Sequence, residues 1–221
     1  QYSNSNIASA VGSNVVGNGT TLGVRFSQTL PAPVGIANFF HSISLGADFK
    51  NLNETQNALG ADDKQTPLRY APLVAQYTFS HFGESGELTG NLGLVVNVNA
   101  NSRQVDCQGV ELDQFECRRA YARAGFSIVR GDVSYSQRLL GWEGMAKLDF
   151  QASSQPLVSP EQILAGGTDN VRGYYEGEAA GDAGFRLRSE VKTPALFTFG
   201  NLGLRAIGFV EGARLKLHSP L

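Results

Sequence analysis

"NLGLVVNVNA", residues 91–100, decides the fold class. Its even positions, Leu92, Leu94, Val96, Val98 and Ala100, are all apolar, whereas the odd ones are Asn91, Gly93, Val95, Asn97 and Asn99. A period of two puts alternate side chains on opposite faces of an extended chain, so the stretch reads as a strand with two unlike faces. The pattern recurs on both sides. "LVAQYTFSH" (73–81) sets Leu73, Ala75, Tyr77 and Phe79 against Gln76, Thr78 and Ser80. "TTLGVRF" (20–26) sets Leu22, Val24 and Phe26 against Thr21, Gly23 and Arg25. "WEGMAKLDFQA" (142–152) sets Trp142, Ala146, Leu148 and Phe150 against Glu143, Lys147, Asp149 and Gln151. No segment holds a comparable 3.6-residue stripe, and the fold is predicted to be all-β.

Composition narrows the class further. The chain has 221 residues, enough for one large domain or two small ones. Charged residues make up 17%, below the roughly 25% of an ordinary soluble domain. Twenty-six glycines beside one methionine and one tryptophan suit strands and turns. A net charge of −2 argues against a nucleic-acid-binding surface. No apolar run approaches the ~18 residues of a transmembrane helix. Without an initiator Met or a signal peptide, the start reads as processed or truncated. Cys107 and Cys117 suit a loop disulfide in an oxidising compartment or two free thiols; two cysteines are too sparse for a zinc site.

Strands are expected near 4–12, 18–30, 37–51, 68–83, 87–101, 117–138, 142–154, 183–193 and 202–217. In the sixth, Phe126 and Ile128 are even but Val133 and Tyr135 odd, and a bulge at Arg130–Gly131 would absorb the slip. The connections sort by parity. "PAPVGI", "GESG", "LLG" and "TPALFTFGN" are short, whereas about 52–67, 102–116 and 155–182 are long. Alternating tight turns and long loops are what a transmembrane β-barrel shows, with turns on the periplasmic side; a soluble sandwich has no reason to sort its loops. Phe39, Phe40, Phe79, Phe82, Tyr135, Trp142, Phe197 and Phe199 lie near the turn ends, where an interfacial girdle sits. His41 and His81 share that zone and read better as interfacial histidines than as a metal pair, since no carboxylate partner is evident. Bacterial barrels close with even strand numbers, so nine strands point to part of a larger barrel, with material missing at both ends.

Placing a charge against lipid at mid-depth costs roughly 2–4 kcal/mol, which assigns the polar phase to the lumen. "GFRLRSEVK" (184–192) then points Arg186, Arg188, Glu190 and Lys192 inward, with Phe185, Leu187 and Val191 outward. The ninth strand points Arg205, Ile207, Phe209, Glu211 and Ala213 inward. Two readings stand: a water-filled wall needing no specific partners, or a Glu211 that awaits a cation from elsewhere.

"LAGGTDNVRGYYEGEAAGDAGFRLRSEVKTP" (164–194) resembles the signature region of the haemolysin-activator type two-partner secretion transporters (TpsB proteins, ShlB/FhaC-like), relatives of the BamA assembly barrels. The matching marks are Val171-Arg172-Gly173-Tyr174, Glu176-Gly177, Gly181-Asp182 and the Glu190–Pro194 strand ending. "GFVEGARL" (208–215) resembles the Phe-x-Asp-x-Gly strand motif, and "SLGADFK" (44–50) an earlier barrel strand. The resemblance covers most of the chain and is specific over about 163–214. It implies a 16-stranded outer-membrane barrel, of which about nine strands lie here, preceded by two periplasmic POTRA domains and exporting an unfolded TpsA-like exoprotein. Residues 1–221 would be the C-terminal part of that barrel, without POTRA domains or the last strands. The loop at 155–182 would fold back into the lumen, so that Arg172 meets Glu211 beside Phe209. Glu211 stands where the family has Asp, and Ala213 where it has Gly, with Gly212 one step early. The resemblance further implies no cofactor, no metal and no enzymatic activity, with lipid and the exoprotein as partners of a monomer.

Rival functions lack their motifs. No Gly-Lys-Ser/Thr follows a strand as a phosphate loop requires, and neither G-x-S-x-G nor H-E-x-x-H occurs. The Arg130–Asp132 "RGD" falls inside an expected strand. A BamA-like insertase and a passive porin are the alternatives to a two-partner translocator.

Overall fold

A computed structural model describes residues 2–8, 14–57, 64–98, 102–107, 109–200 and 202–219. Asn99 and Ala100, the end of the opening alternation, lie outside the described residues, as does part of the strand expected at 4–12. The elements in chain order are β1 (Tyr2–Ala8), β2 (Asn14–Leu30), β3 (Phe39–Asn57), β4 (Lys64–Tyr70), β5 (Leu73–Phe82), β6 (Gly86–Asn97), β7 (Gln104–Asp106), β8 (Glu111–Asp113) and α1 (Gln114–Arg118). They continue as β9 (Phe126–Leu139), β10 (Trp142–Ser153), β11 (Ile163–Ala165), β12 (Ala179–Gly181), β13 (Ala183–Lys192), β14 (Phe197–Phe199), β15 (Leu202–Leu204) and β16 (Ile207–Lys216).

One antiparallel sheet runs β1-β2-β3-β5-β6-β9-β10-β13-β16, with β4 also on β3. This is a partial transmembrane β-barrel. Strands adjacent in this path pair antiparallel, so the backbone N–H and C=O groups between them are satisfied, as a hydrocarbon surrounding demands, while β1 and β16 form the edges of the described sheet. Among the described residues no helix is long and apolar enough to cross a membrane. The outer face carries Leu22, Val24, Leu45, Leu92, Leu187 and Val210, all exposed.

Four expected strand and loop limits need correction. The strand expected at 68–83 is broken into β4 and β5 around Pro72, which has no N–H to give the ladder; its carbonyl still accepts from Asp48 N at 3.0 Å. Much of the expected loop at 52–67 belongs to β3 and β4, which extend their ladder past the sheet body (Lys50↔Tyr70 to Gln56↔Lys64). The strand expected from 117 starts at 126, because Asp113 caps a short helix through Phe115 N and the chain then turns. The strand expected from 202 is also broken: β15 pairs back on β14, so "TPALFTFGN" holds most of a small hairpin.

The bulge expected at Arg130–Gly131 is absent. The ladders run unbroken there, from Gln151↔Arg130 to Phe150↔Gly131 on one side and Gly93↔Arg130 to Leu92↔Gly131 on the other. Even residues of β9 face inward throughout. What changes is the inner face itself. Toward the long loops it is covered rather than wet, and Phe126 and Ile128 are buried with Leu68, Tyr70, Val95, Phe115, Leu157 and Val158. Tyr70, Phe115 and Phe126 meet edge-to-face at 5.5–6.1 Å between centroids. The girdle also divides. Phe39, Phe79, Tyr135 and Trp142 are on the outer phase, but Phe40 shares the phase of Ser42 and Ser80 and packs edge-on against Phe82 at 6.1 Å on the inner side.

Candidate functional site

The loop between β10 and β13 crosses the inner face of the sheet. Glycines let it turn sharply: Gly166 has φ +108°, and a Cβ there would stand 2.2 Å from the Tyr175 carbonyl oxygen. Gly166 N also donates to Asn170 Oδ1 at 2.7 Å, closing a tight turn that ends in the bridge Gly167↔Val171. Val171 is buried beneath this turn. Arg172 follows immediately, so its direction is set by the turn. Gly173 has φ +92°, and Tyr174 and Tyr175 beyond it are exposed.

Arg172 meets Glu211 and Glu190 together. Its backbone N donates to Glu211 Oε2 at 2.8 Å and its Nε to Glu211 Oε1 at 2.8 Å. Its Nη2 reaches Glu211 Oε1 at 2.7 Å and Glu190 Oε2 at 3.0 Å. The guanidinium lies over the Phe209 ring, 3.6 Å from its centroid. Register explains the convergence: Glu190↔Phe209 and Arg188↔Glu211 are direct partners of β13 and β16, so all four side chains stand on one face. A forked, planar cation serves two carboxylates and a ring at once, which an ammonium cannot. These carboxylates keep the guanidinium above its ordinary range, so Arg172 is charged at any working pH.

The remaining inward charges extend the network. Arg188 stands 3.5 Å from Glu211 and 3.7 Å from Glu190, and Lys192 Nζ is 3.2 Å from Glu190. Arg186 pairs with Asp149 at 3.5 Å and donates to the Leu164 carbonyl at 2.8 Å. Arg205, just before β16, reaches Glu143 at 3.2 Å instead, nearer the turn end.

Two buried carboxylates, Asp182 of the "GD" mark and Glu161, which the sequence did not single out, hold the base of the loop. Asp182, fully buried, accepts two contacts from Arg119, one at 2.7 Å. It also accepts from Leu157 N (3.0 Å), Gln162 Nε2 (3.1 Å) and His218 N (2.7 Å). Burial alone pushes this carboxyl up, yet the guanidinium and the three further donors outweigh it and hold the group below its ordinary range. Glu161, also buried, accepts from Tyr70 Oη at 2.6 Å and from Lys50 Nζ. Asp182 stands in the "GD" mark, but its partner Arg119 had no legible signal, being 63 residues away in another loop.

Cys107 and Cys117 are joined, tying the β7–β8 ribbon to α1. His41 and His81 share the outer face with the Phe39 ring beside both, and His41 is engaged by Tyr77 Oη at 3.1 Å and the Pro31 carbonyl at 2.9 Å. Among the described residues no cluster of His, Cys, Asp and Glu could hold a metal ion.

Comparison with known proteins agrees with this geometry. The family model "Haemolysin secretion/activation protein ShlB/FhaC/HecB" matches residues 36–215. No curated protein matches the chain. Among solved structures, CdiB from Escherichia coli is similar in fold, with a TM-score of 0.67 at 16% identity. The match covers 95% of this chain and 37% of CdiB, so the chain spans little more than a third of that structure. The chain therefore belongs to the haemolysin secretion/activation (ShlB/FhaC/HecB) family of two-partner secretion transporters, which are outer-membrane β-barrels.

Proposed function

We propose that the protein exports a large TpsA-like partner across the bacterial outer membrane, and that residues 1–221 are the C-terminal part of its barrel. The remaining strands and the POTRA domains belong to the rest of the protein, in keeping with the span of CdiB that this chain matches. It works as a monomer, with lipid against its apolar outer face, and carries out no covalent chemistry.

Within that function the β10–β13 loop is a lumenal element held at one point by Arg172. The observation that carries this reading is the convergence of Glu211, Glu190 and Phe209 on that one side chain. The loop beyond it, with Tyr174 and Tyr175 exposed, is then presented to the passage that an extended polypeptide takes. The test is secretion of the cognate exoprotein by the full-length protein carrying Arg172→Ala. Export is expected to fall while the barrel still inserts, read from heat-modifiable gel mobility. Export at the wild-type level removes the arginine from the mechanism.

A further inference from the structure

The β14–β15 hairpin stands at the turn end of the sheet, beyond β13 and β16, and nothing in the secretion reading uses it. Its register, Phe197↔Leu204 and Phe199↔Leu202, gathers four large apolar side chains on one face, with Thr198 and Gly203 on the other. All four are 61–88% exposed. From Thr193 to Leu204 the sequence holds no charged residue, unlike the Gly83–Ser85 turn at the same end, which carries Glu84.

The direction of this face follows from its neighbour. Arg205, next after β15, reaches Glu143 on the inner side, whereas Leu202 and Leu204 share the exposed face of the hairpin with Phe197 and Phe199. The root of the hairpin lies against the β9–β10 turn, where a Cβ on Gly141 would stand 3.3 Å from Pro194. That turn exposes Leu140 and Trp142. Phe197, Phe199, Leu202 and Leu204 therefore continue the lipid-facing surface of the barrel past its rim.

We infer that this hairpin is a membrane foot, whose apolar face inserts into the phospholipid of the periplasmic leaflet. Short turns of such barrels lie on the periplasmic side, at the level of the interface. Phenylalanine and leucine beside tryptophan, on a segment without charge, suit the boundary between headgroups and acyl chains. A protein partner would be expected to meet a rim of charge or hydrogen-bonding side chains, and among the described residues of the hairpin only Thr198, on the opposite face, is polar.

The full-length protein is reconstituted into phosphatidylethanolamine/phosphatidylglycerol vesicles with a cysteine-linked NBD fluorophore in place of Phe199. Glu84→Cys at the neighbouring turn serves as the wet reference. A foot in lipid gives blue-shifted emission, quenching by lipids bearing a nitroxide on the upper acyl chain, and loss of most of the iodide quenching seen at position 84. Iodide quenching equal at the two positions places the hairpin in water and overturns the inference. A label that neither quencher reaches shows a protein cover, from the rest of the chain or a second copy, and overturns it as well. The same measurement at Leu204→Cys keeps both phenylalanines, so that damage by the label at 199 is distinguishable from a true reading.

Discussion

Two arginine–carboxylate contacts hold one loop, and they are built for different tasks. At its base, Arg119 grips an Asp182 side chain that is fully buried, among donors from three separate segments. At its tip, Arg172 grips Glu211 with 27% of its own side chain exposed, in a group where three cations face two carboxylates. The first behaves as an anchor, because removing one partner leaves a buried charge unpaired. The second behaves as a latch, because water and Arg188 stand ready to replace what is lost. The inner wall divides the same way, apolar and covered toward the long loops, charged and open toward the turns.

The sharpest way to break the comparison is at the anchor. Asp182→Asn leaves the Arg119 guanidinium without a counter-charge and is expected to lower stability by about 3–5 kcal/mol. The loss is read from the urea dependence of heat-modifiable mobility in the refolded protein. A change no larger than that of an exposed ion pair removes the distinction between base and tip.

The next effect lies in the outer loop that supplies Arg119. Opening the ring of the Cys107–Cys117 bond with a Cys107→Ser, Cys117→Ser variant is expected to cost about 2–3 kcal/mol, by the chain entropy of so short a loop. Because the bond steadies the segment that carries Arg119, its loss should add less than fully to that of Asp182→Asn in the combined variant. Full additivity separates the ribbon from the anchor.

At the latch the stability change for Arg172→Ala is expected to be smaller than at the anchor, since the contact is partly hydrated. Its signature is coupling. The exchange Arg172→Glu with Glu211→Arg is expected to restore more secretion than either single change, although Glu190 now faces a carboxylate. Absence of coupling means the two residues are not working partners.

Acid gives the smallest and most selective test. The Asp182 carboxyl sits below its ordinary range in the folded chain. Its stabilising contribution is therefore complete above the unfolded-chain value of about 3.9 and is lost only as pH falls through the lower folded value. Protease protection of the loop should hold steady from neutral pH down to about 4.5 and fall only below the ordinary carboxylate range. Asp182→Asn should remove that fall. Loss of protection between pH 5 and 6 assigns the control to another group.

How far the sequence reaches is clear from particular residues. Leu92 and Leu94 against Val95 and Asn97 were correctly sorted into outer and inner faces, since alternation is a property of the extended backbone itself. Glu211, Phe209 and Glu190 were assigned to one face by parity, and the family resemblance named the loop arginine that meets them. Parity failed where it was asked about surroundings. Phe126 and Ile128 are apolar and inward because loops cover them, and a pattern that equates apolar with lipid-facing mistook this for a slip of phase. Phe40 and Phe82 also lie on the inner side, but exposed, packed against each other rather than under a loop.

By itself the sequence determined that the chain is built of strands, which alternate side chains share a face along most of them, and the charged residues that stand ready on the inner wall of β13 and β16. These depend on local geometry, which repeats every two residues. Only the tertiary structure decided what each inward side chain meets: Arg172 with both Glu211 and Glu190, Asp182 with an arginine 63 residues away, Glu161 with Tyr70 and Lys50. Those contacts depend on how three loops fill one half-enclosed space. Burial there is set jointly by distant segments, and no local pattern records it.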